Sequence, residues 1–321
     1  MSYVVFDLEW NQCPYGKDRE IRQLPFEIIE IGAVKLNQNR EYVDRFHRII
    51  RPVVYTKLHF RTREIVKMTQ EELDQGSSFV DAVRDFLAWA GGGAQFCTWG
   101  TVDLVELQRN MKYHGVLSLL KGPLHYYDVQ KLFAVNFEDM KSRRSLEYGI
   151  DYLKLEKKLE FHQALSDAWY TAEIFQKIDM DVVLAYDSID VYQNPKTKKD
   201  EIHAVYNGYS KFISREFRTK EEAMEDREVR ATHGCLCGRN ARKKLLWFSG
   251  NSKNYYSIAV CPVHGYIKGK IRLKKTDENR VYVVKTIKVS SEAEAEEIRK
   301  KKEEVREKRR RKRQEEKKTG R

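Results

Sequence analysis

The sequence predicts an α/β domain in its first half, followed by a smaller β-rich domain and a charged helical tail. Apolar runs rich in Val, Ile and Phe come first, strand-like and helix-like patterns then alternate, and acidic residues stand directly after predicted strands. The 321 residues, of which 41% are hydrophobic, are enough for two packed domains. We expect the α/β domain to occupy residues 1–182.

The α/β domain opens with three predicted strands and continues with helices and shorter strands. Apolar runs bounded by turn residues predict the strands, and apolar side chains at helical spacing predict the helices. Ser77-Ser78 is predicted to cap one helix, and Gly91-Gly92-Gly93 to end it. The predicted strands are 3–9, 28–36, 42–50, 95–99 and 124–127. The predicted helices are 62–75, 79–90, 102–114, 129–133, 145–155 and 164–178.

Three further segments complete the chain. Residues 183–232 are highly charged and are predicted to form a mostly helical connector. Residues 233–290 combine a Cys/His cluster with alternating β-branched and aromatic residues, which predicts a zinc-ribbon-like domain. Residues 291–321 begin with acids and end with bases, which favours a helix through its dipole. This tail is interpreted either as a solvated helix or as a nucleic-acid contact at 309–313.

The charge balance indicates a polyanionic partner. Lys and Arg number 60 against 48 Asp and Glu, a formal charge of +12, and nucleic acid fits this excess better than a membrane. The first residues do not resemble a secretory signal, and no run of about 18 apolar residues predicts a membrane helix. Three of the five cysteines cluster, which indicates metal binding and favours a reducing cytoplasm.

Two acids at the end of the first strand form the first half of a candidate metal site. Asp7 and Glu9 are two residues apart, so both side chains lie on one face of the strand, while Phe6 and Leu8 point into the core. Neighbouring carboxylates repel each other unless a cation lies between them, and Mg²⁺ or Mn²⁺ prefers such oxygen ligands. A strand end whose acids merely reach solvent is an equally common arrangement.

Three more residues complete the candidate site. Asp103 follows a strand and a Gly turn, where it can cap a helix, bind a metal, or do both if the strand ends converge. His162 and Asp167 are five residues apart, which would separate them by about 140° on a regular helix. They can therefore share a site only if His162 lies in the loop or first turn before that helix.

These motifs resemble those of the DEDDh family of 3′–5′ exonucleases, which has a ribonuclease-H-like fold with a mixed sheet flanked by helices. The family pattern is Asp-x-Glu, a central Asp and His-x4-Asp, matched by Asp7/Glu9, Asp103 and His162/Asp167. Residues 25–34 and 98–100 resemble the subgroup that trims histone mRNA and small RNAs, which has bacterial members linked to sporulation control. The resemblance covers roughly residues 1–182.

The resemblance implies a two-metal hydrolysis of phosphodiester bonds. Asp7, Glu9, Asp103 and Asp167 would hold two ions about 3.5–4 Å apart, one activating water and the other stabilising the leaving 3′ oxygen. His162 would act as general base, and the products would be nucleoside 5′-monophosphates.

Residues beside these motifs are candidate substrate contacts. Leu8, Trp10 and Trp99 could stack a terminal base, although strand alternation favours core packing for Leu8. Trp10 departs from the small residue that the subgroup often has there, which puts the shape of the terminal-nucleotide pocket in question. Glu27 and Glu30 are interpreted as structural residues.

A second metal site is predicted in the β-rich segment. Cys235, Cys237, Cys261 and His264 supply three sulfurs and one imidazole, a donor set typical of structural tetrahedral zinc. Each pair precedes a Gly, as knuckle turns require, although Cys-x-Cys is shorter than the usual spacing and His233 could replace one ligand. Unrelated buried thiols are the alternative. Basic and aromatic neighbours suit either single-stranded nucleic acid or a small ribbon's own core.

The sequence thus predicts a metal-dependent 3′–5′ exonuclease acting on single-stranded nucleic acid, with RNA favoured over DNA. The zinc-ribbon-like domain and basic tail would add affinity by tethering the substrate. One alternative is a catalytically idle nuclease fold that binds nucleic acid or regulates; the five filled positions argue against it. Another is a ribonuclease-H-type endonuclease, which the offset between His162 and Asp167 disfavours. The oligomeric state stays open.

Overall fold

The computed structural model describes residues 2–138, 142–206, 208–232 and 237–318. The chain divides into two compact units, Met1–Gln193 and Asn194–Arg321, and each contains one six-stranded sheet. Within the described ranges, the helices are all too short or too polar to cross a membrane.

The first unit contains six strands and eight helices among its described residues, close to the predicted order. The strands are β1 (Tyr3–Gln12), β2 (Phe26–Leu36), β3 (Tyr42–Ile49), β4 (Gln95–Thr98), β5 (Leu124–Asp128) and β6 (Ser188–Asp190). The helices are α1 (Phe60–Ile65), α2 (Gln70–Asp74), α3 (Phe79–Ala90), α4 (Val102–Tyr113), α5 (Val129–Phe137), α6 (Leu146–Tyr152), α7 (Ala164–Lys177) and α8 (Met180–Ala185).

The first sheet is mixed, with strand order β3-β2-β1-β4-β5-β6. Strands β1, β2 and β3 form an antiparallel meander, β4 and β5 continue parallel to β1, and β6 closes the edge antiparallel to β5. The parallel strands β1, β4 and β5 therefore end at the same edge of the sheet, where ligand sites of α/β proteins usually lie.

Strand alternation divides the core of this unit into two layers. Phe6 and Leu8 of β1 pack with the side chains of α3 and α4 on one face. Val5 lies in the opposite layer with α5 and α7. Phe6 is fully buried between Phe86 and Phe96, with ring centroids 5.6 Å away in each case, and its loss would cost about 3–5 kcal/mol. This core holds β1 rigid where its acidic residues begin.

The second unit is built on an antiparallel sheet with strand order β7-β8-β12-β11-β10-β9. Two short helices precede its main meander, and a long helix follows it. The strands are β7 (Ile202–Tyr206), β8 (Tyr209–Ile213), β9 (Arg242–Ser249), β10 (Asn254–Cys261), β11 (Gly265–Lys275) and β12 (Val281–Val289). The helices are α9 (Lys220–Glu225), α10 (Arg227–Arg230) and α11 (Glu292–Lys318).

The prediction of a mostly helical connector over 183–232 is wrong. This segment contributes β6 to the first sheet and the β7–β8 hairpin to the second, and its helices α9 and α10 are short. The division between the units falls at Gln193 and Asn194. The strands were missed because the residues around them are highly charged, although β6, β7 and β8 themselves contain only two charged residues, Asp190 and Lys211.

Candidate active site

Asp7 and Glu9 lie on the face of β1 that is covered by α7. The antiparallel register places Asp7 opposite Gly32 and Glu9 opposite Glu30 of β2. Both carboxylates continue the side of the strand that carries Val5, whose side chain packs against α7. The predicted alternation of side chains along β1 is therefore present in the structure: the acids share one face of the strand, and Phe6 and Leu8 share the other.

Gly32 allows the start of α7 to approach the sheet. A Cβ atom at this position would lie 2.0 Å from the backbone nitrogen of Leu165 and 2.2 Å from the carbonyl carbon of Ala164. Only a glycine leaves room for this backbone contact. The close approach brings the first turn of α7, with Asp167, towards the acids of β1.

His162 lies in the loop before α7, as its spacing from Asp167 requires. The helix begins at Ala164, and the backbone N–H of His162 donates to Oδ2 of Asp167 over 3.3 Å. His162 adopts a φ of 62°, which is uncommon for a residue other than glycine, and its side chain is exposed. Donor atoms of Glu9, His162 and Asp167 all lie within 4.8 Å of one another.

Asp103 reaches the same site from the first turn of α4. Its side chain is buried, and its carboxylate is close enough to raise the pKa of Asp7 and of Glu9. The strand β4 runs parallel to β1, and α4 follows β4 in the chain. Asp103 therefore lies at the same edge of the sheet as the end of β1, near Asp7 and Glu9.

The carboxylates are close enough to raise one another's pKa. Burial, followed by Asp103, Glu9 and Asp167, raises the pKa of Asp7 well above its usual range. Burial, then the carboxylates of Glu30, Asp167 and Asp103, raises the pKa of Glu9 to about 8. Such shifts are those of anions crowded together in a low-dielectric site.

The pKa values of Asp103 and Asp167 are also raised, but neighbouring groups partly oppose the increase. Burial raises the pKa of Asp103 to about 7 against the opposing effect of the nearby backbone N–H groups. Burial also raises the pKa of Asp167 to about 6, while the backbone N–H and the ring of His162 act in the opposite direction.

The arrangement fits divalent cations. Oδ1 of Asp167 is buried and has no hydrogen-bond partner among the residues that the structure describes. An unpaired buried carboxylate oxygen is costly, and a metal ion is a partner that removes the cost. The donors are all hard oxygens apart from one imidazole, which suits Mg²⁺ or Mn²⁺.

The two glutamates of the 25–34 motif have different surroundings. Glu27 is 3% exposed and accepts backbone hydrogen bonds from Val53, Val54 and Tyr55, so it fixes a loop, as the sequence-based interpretation held.

Glu30 is 4% exposed, lies opposite Glu9 and contacts His47 Nε2 of β3 through Oε1 at 2.7 Å. Glu30 is therefore a fifth carboxylate at the site, whereas the sequence analysis interpreted it as a structural residue. The antiparallel pairing of β1 with β2 was the signal that could have found it.

A groove of about 370 Å³ begins at Glu30 and extends over β3. Arg45 and Lys67 give it cationic groups beside the imidazole of His47, while Gln163 and Ser166 line it from the start of α7. The groove thus places positive side chains beside the carboxylates. Its other lining residues are Ile49, Val66, Met68, Glu72, Leu159, Leu165 and Trp169.

The candidate base-stacking residues are mainly packing residues. Leu8 is 3% exposed within the core. Trp10 is partly buried and its ring packs against Phe26 with centroids 5.6 Å apart. Trp99 packs against Phe133 at 6.0 Å and donates Nε1–H to the carbonyl of Arg144. Trp10 and Trp99 keep partial exposure, so they stay candidates for contact with substrate, whereas Leu8 offers almost no surface.

The predicted zinc ligands are only partly within the described residues. Cys235 and the alternative ligand His233 lie outside them. Cys237, Cys261 and His264 come together in the second unit, with donor atoms within 4.8 Å of one another.

A model of the Exonuclease family (RNase_T) matches residues 4–175 of this chain, which is more than half of its length. The probable 3′-5′ exonuclease KapD of Bacillus subtilis is 26% identical over 181 residues, covering 56% of this chain and 85% of the relative.

The DNA polymerase III PolC-type of Bacillus subtilis is 26% identical over 177 residues, which span 55% of this chain but only 11% of the polymerase. Among solved structures, the nuclease domain of 3′hExo, described as a DEDDh family member bound to rAMP, is similar at 18% identity. The match covers 56% of this chain and 92% of the chain in the solved structure, with a TM-score of 0.49.

Proposed function

The chain belongs to the exonuclease family, and from this premise we propose that it is a metal-dependent enzyme that removes nucleotides one at a time from 3′ ends. The family match confirms the resemblance drawn from the motifs. The proposal covers the first unit, because the matched residues all lie within it.

The convergence of the acidic residues carries the proposal. Asp7 and Glu9 from β1, Asp103 from α4 and Asp167 from α7 influence one another's pKa, although they are far apart in the sequence. Repulsion between crowded carboxylates opposes folding, and carboxylates with perturbed pKa values in a cleft are typical of catalytic sites. His162 adds an exposed imidazole within reach of two of these acids.

We assign two Mg²⁺ or Mn²⁺ ions to Asp7, Glu9, Asp103 and Asp167. When bound, such ions polarise the phosphate and stabilise the attacking and leaving oxygens of an in-line displacement. The chain's own contribution is to hold these oxygens in place through β1 and the starts of α4 and α7.

His162 serves in this proposal as the general base. Its side chain is exposed, and the loop before α7 lets the ring approach a water molecule at the scissile phosphate. The imidazole accepts the proton of that water as its oxygen bonds to phosphorus, and the 3′ oxygen of the preceding nucleotide leaves and is protonated. The products are a nucleoside 5′-monophosphate and a chain shortened by one residue.

We propose single-stranded nucleic acid as substrate, with RNA favoured over DNA. The RNA preference rests on the resemblance of residues 25–34 and 98–100 to RNA-trimming members of the family. The groove beside Glu30 supports an anionic substrate, because Arg45, His47 and Lys67 line it. The free thiols of Cys13, Cys97, Cys237 and Cys261 support a reducing compartment such as the cytoplasm.

The second unit is proposed to hold the substrate strand. A groove of about 910 Å³ lies between α11 and Phe248 of β9. Its charged lining residues are Lys302, Glu303, Arg306, Glu307, Arg309, Arg310 and Arg313. Lys301 stacks over Tyr256 with its Nζ 4.2 Å from the ring centroid, and Arg309 donates to the carbonyl of Ser249. Cations interleaved with aromatic rings suit a single strand.

The test is digestion of a 5′-labelled single-stranded RNA with Mg²⁺, comparing the unchanged protein with Asp7→Ala. We expect the unchanged protein to shorten the labelled strand stepwise from its 3′ end and to release mononucleotides. We expect Asp7→Ala to release none while it stays folded. Parallel DNA oligomers measure the preference for RNA.

Each alternative function has its own outcome in this assay. An idle fold would give no digestion by the unchanged protein, and an endonuclease would give internal oligonucleotides. Equal digestion by Asp7→Ala would remove Asp7 from the site.

A further inference from the structure

The second unit brings together soft metal donors that the exonuclease reaction does not use. Sγ of Cys237 lies 3.5 Å from Sγ of Cys261, and Sγ of Cys261 lies 3.5 Å from Nδ1 of His264. Both sulfurs belong to free thiols. Tetrahedral bonds of about 2.3 Å to sulfur and 2.0 Å to nitrogen would separate such donors by about 3.5–3.8 Å.

The backbone around these donors has the form of a metal-binding turn. Cys261 ends β10, and His264 lies in the turn before β11. Gly265 follows with a φ of 71°, and Gly238 after Cys237 has a φ of 66°. These glycines allow two tight turns to present their side chains to one point.

The hydrophobic core around Cys237, Cys261 and His264 is too small for packing alone to explain why these three side chains lie together. The buried cluster here consists of Ala241, Ala259, Cys261, Ile267 and Ile287, so two of its five members are alanines. Cys261 is 1% exposed, whereas Cys237 and His264 are half-buried at the border of the cluster. A bound ion would contribute to folding where apolar burial is limited.

We propose that Cys237, Cys261 and His264 bind one structural Zn²⁺ that joins the segment before β9 to the β10–β11 turn. Two thiolates and an imidazole favour zinc over Mg²⁺ or Mn²⁺, so this ion differs from those of the exonuclease site. Structural zinc takes four donors; Cys235, predicted as the fourth, lies outside the described residues.

Metal analysis of the full chain tests the proposal. The protein is produced with added zinc salt, purified under a thiol reductant, passed over a weak chelating resin and analysed by mass spectrometry. We expect about one zinc per chain in the unchanged protein and in Asp167→Asn, and less than about a tenth of that in His264→Asn and Cys261→Ser. His203→Asn is the matched control, because His203 is an exposed histidine of the same sheet that stacks on Phe212.

The unchanged protein also provides a test that needs no variant. Replacing its zinc with Co²⁺ should give the intense visible bands of tetrahedral cobalt with thiolate ligands. A zinc-free unchanged protein would overturn the proposal, and so would zinc lost from Asp167→Asn but kept by His264→Asn. A zinc-free chain with a Cys237–Cys261 disulfide would also overturn it. Because exonuclease activity is not measured, failure of the exonuclease proposal would not affect these results.

Discussion

The two sheets of the molecule carry metal-donor sets of opposite chemistry. The first unit gathers hard carboxylates from residues 7 to 167, which repel one another and have raised pKa values. The second gathers two thiols and an imidazole from a short segment. A large aromatic core supports the first site, whereas a cluster of five small or aliphatic side chains supports the second.

This difference indicates different roles for the metals. In the first unit the fold places the carboxylates, so we expect the proposed Mg²⁺ or Mn²⁺ ions to bind and leave while the protein stays folded. In the second unit the ion is expected to help form the structure around it. Substitutions at the first site should therefore affect catalysis far more than folding. Substitutions at the second site should affect folding far more than catalysis.

The largest effect is expected from Asp103→Asn. It removes a metal-binding charge and should lower the rate of mononucleotide release by about 10³-fold or more, with little change in the melting temperature. Asp128→Asn is the matched control, because Asp128 is also a buried aspartate at the edge of the sheet where the parallel strands end, but it caps α5 and pairs with Arg143. Steady-state assays and thermal melts compare the two; equal losses of activity would remove the distinction between them.

His162→Ala should have the next largest effect. Loss of a general base costs about 10²–10⁴-fold in rate, while the carboxylates that bind Mn²⁺ are unchanged. The measurement is kcat against pH together with Mn²⁺ affinity. A variant that loses metal binding as strongly as activity would show that His162 acts as a ligand.

The metal-free protein should lose stability as pH rises from about 4.5 to about 8. Burial and neighbouring carboxylates raise the pKa of Glu9 to about 8 in the folded protein, so folded Glu9 retains a proton that the unfolded chain releases. One such group lowers the free energy of unfolding by up to about 1.4 kcal/mol for each pH unit. Saturating Mg²⁺ should remove this slope by holding the carboxylates ionised.

Urea unfolding after chelation measures this pH dependence. Glu9→Gln, which cannot titrate, should make the slope shallower. A metal-free protein whose stability rises through the same pH range would contradict the described crowding of the acids.

The smallest effect is expected from the basic groove of the second unit. Arg306→Gln with Arg310→Gln should weaken binding of single-stranded RNA several-fold. The slope of log K against log salt concentration should become shallower by about 0.7 for each lost phosphate contact. Glu307→Gln, which removes a negative charge from the same groove, should strengthen binding. Fluorescence anisotropy at several salt concentrations, with Mg²⁺ omitted, measures both. Unchanged salt dependence in the double variant would exclude this groove as a contact.

The sequence predicted the first unit better than the second for physical reasons. Strong alternation in β1 and the cap at Ser78 identify elements directly, and α3 has the predicted bounds. The loop position of His162 followed from helix geometry once His162 and Asp167 were taken to share a site. Glu30 was not assigned because its place at the site depends on pairing between two strands, which a single-sequence pattern does not contain.

The second unit was harder because its first two strands lie within the highly charged segment 183–232. Residues 202–206 and 209–213 themselves contain only one Asp, Glu, Lys or Arg residue, Lys211, but the overall charge of the segment suggested a helix. The Asn207-Gly208 pair between them is a hairpin signal that the sequence analysis did not use.

The central claim is that Asp7, Glu9, Asp103 and Asp167 form one site for divalent cations. The most direct test is titration of the chelator-treated protein with Mn²⁺, followed by electron paramagnetic resonance. We expect about two Mn²⁺ ions per chain for the unchanged protein and for Cys261→Ser, and loss of tight binding in Asp7→Ala. Mn²⁺ binding that is absent from the unchanged protein, or retained in full by Asp7→Ala, would contradict the claim.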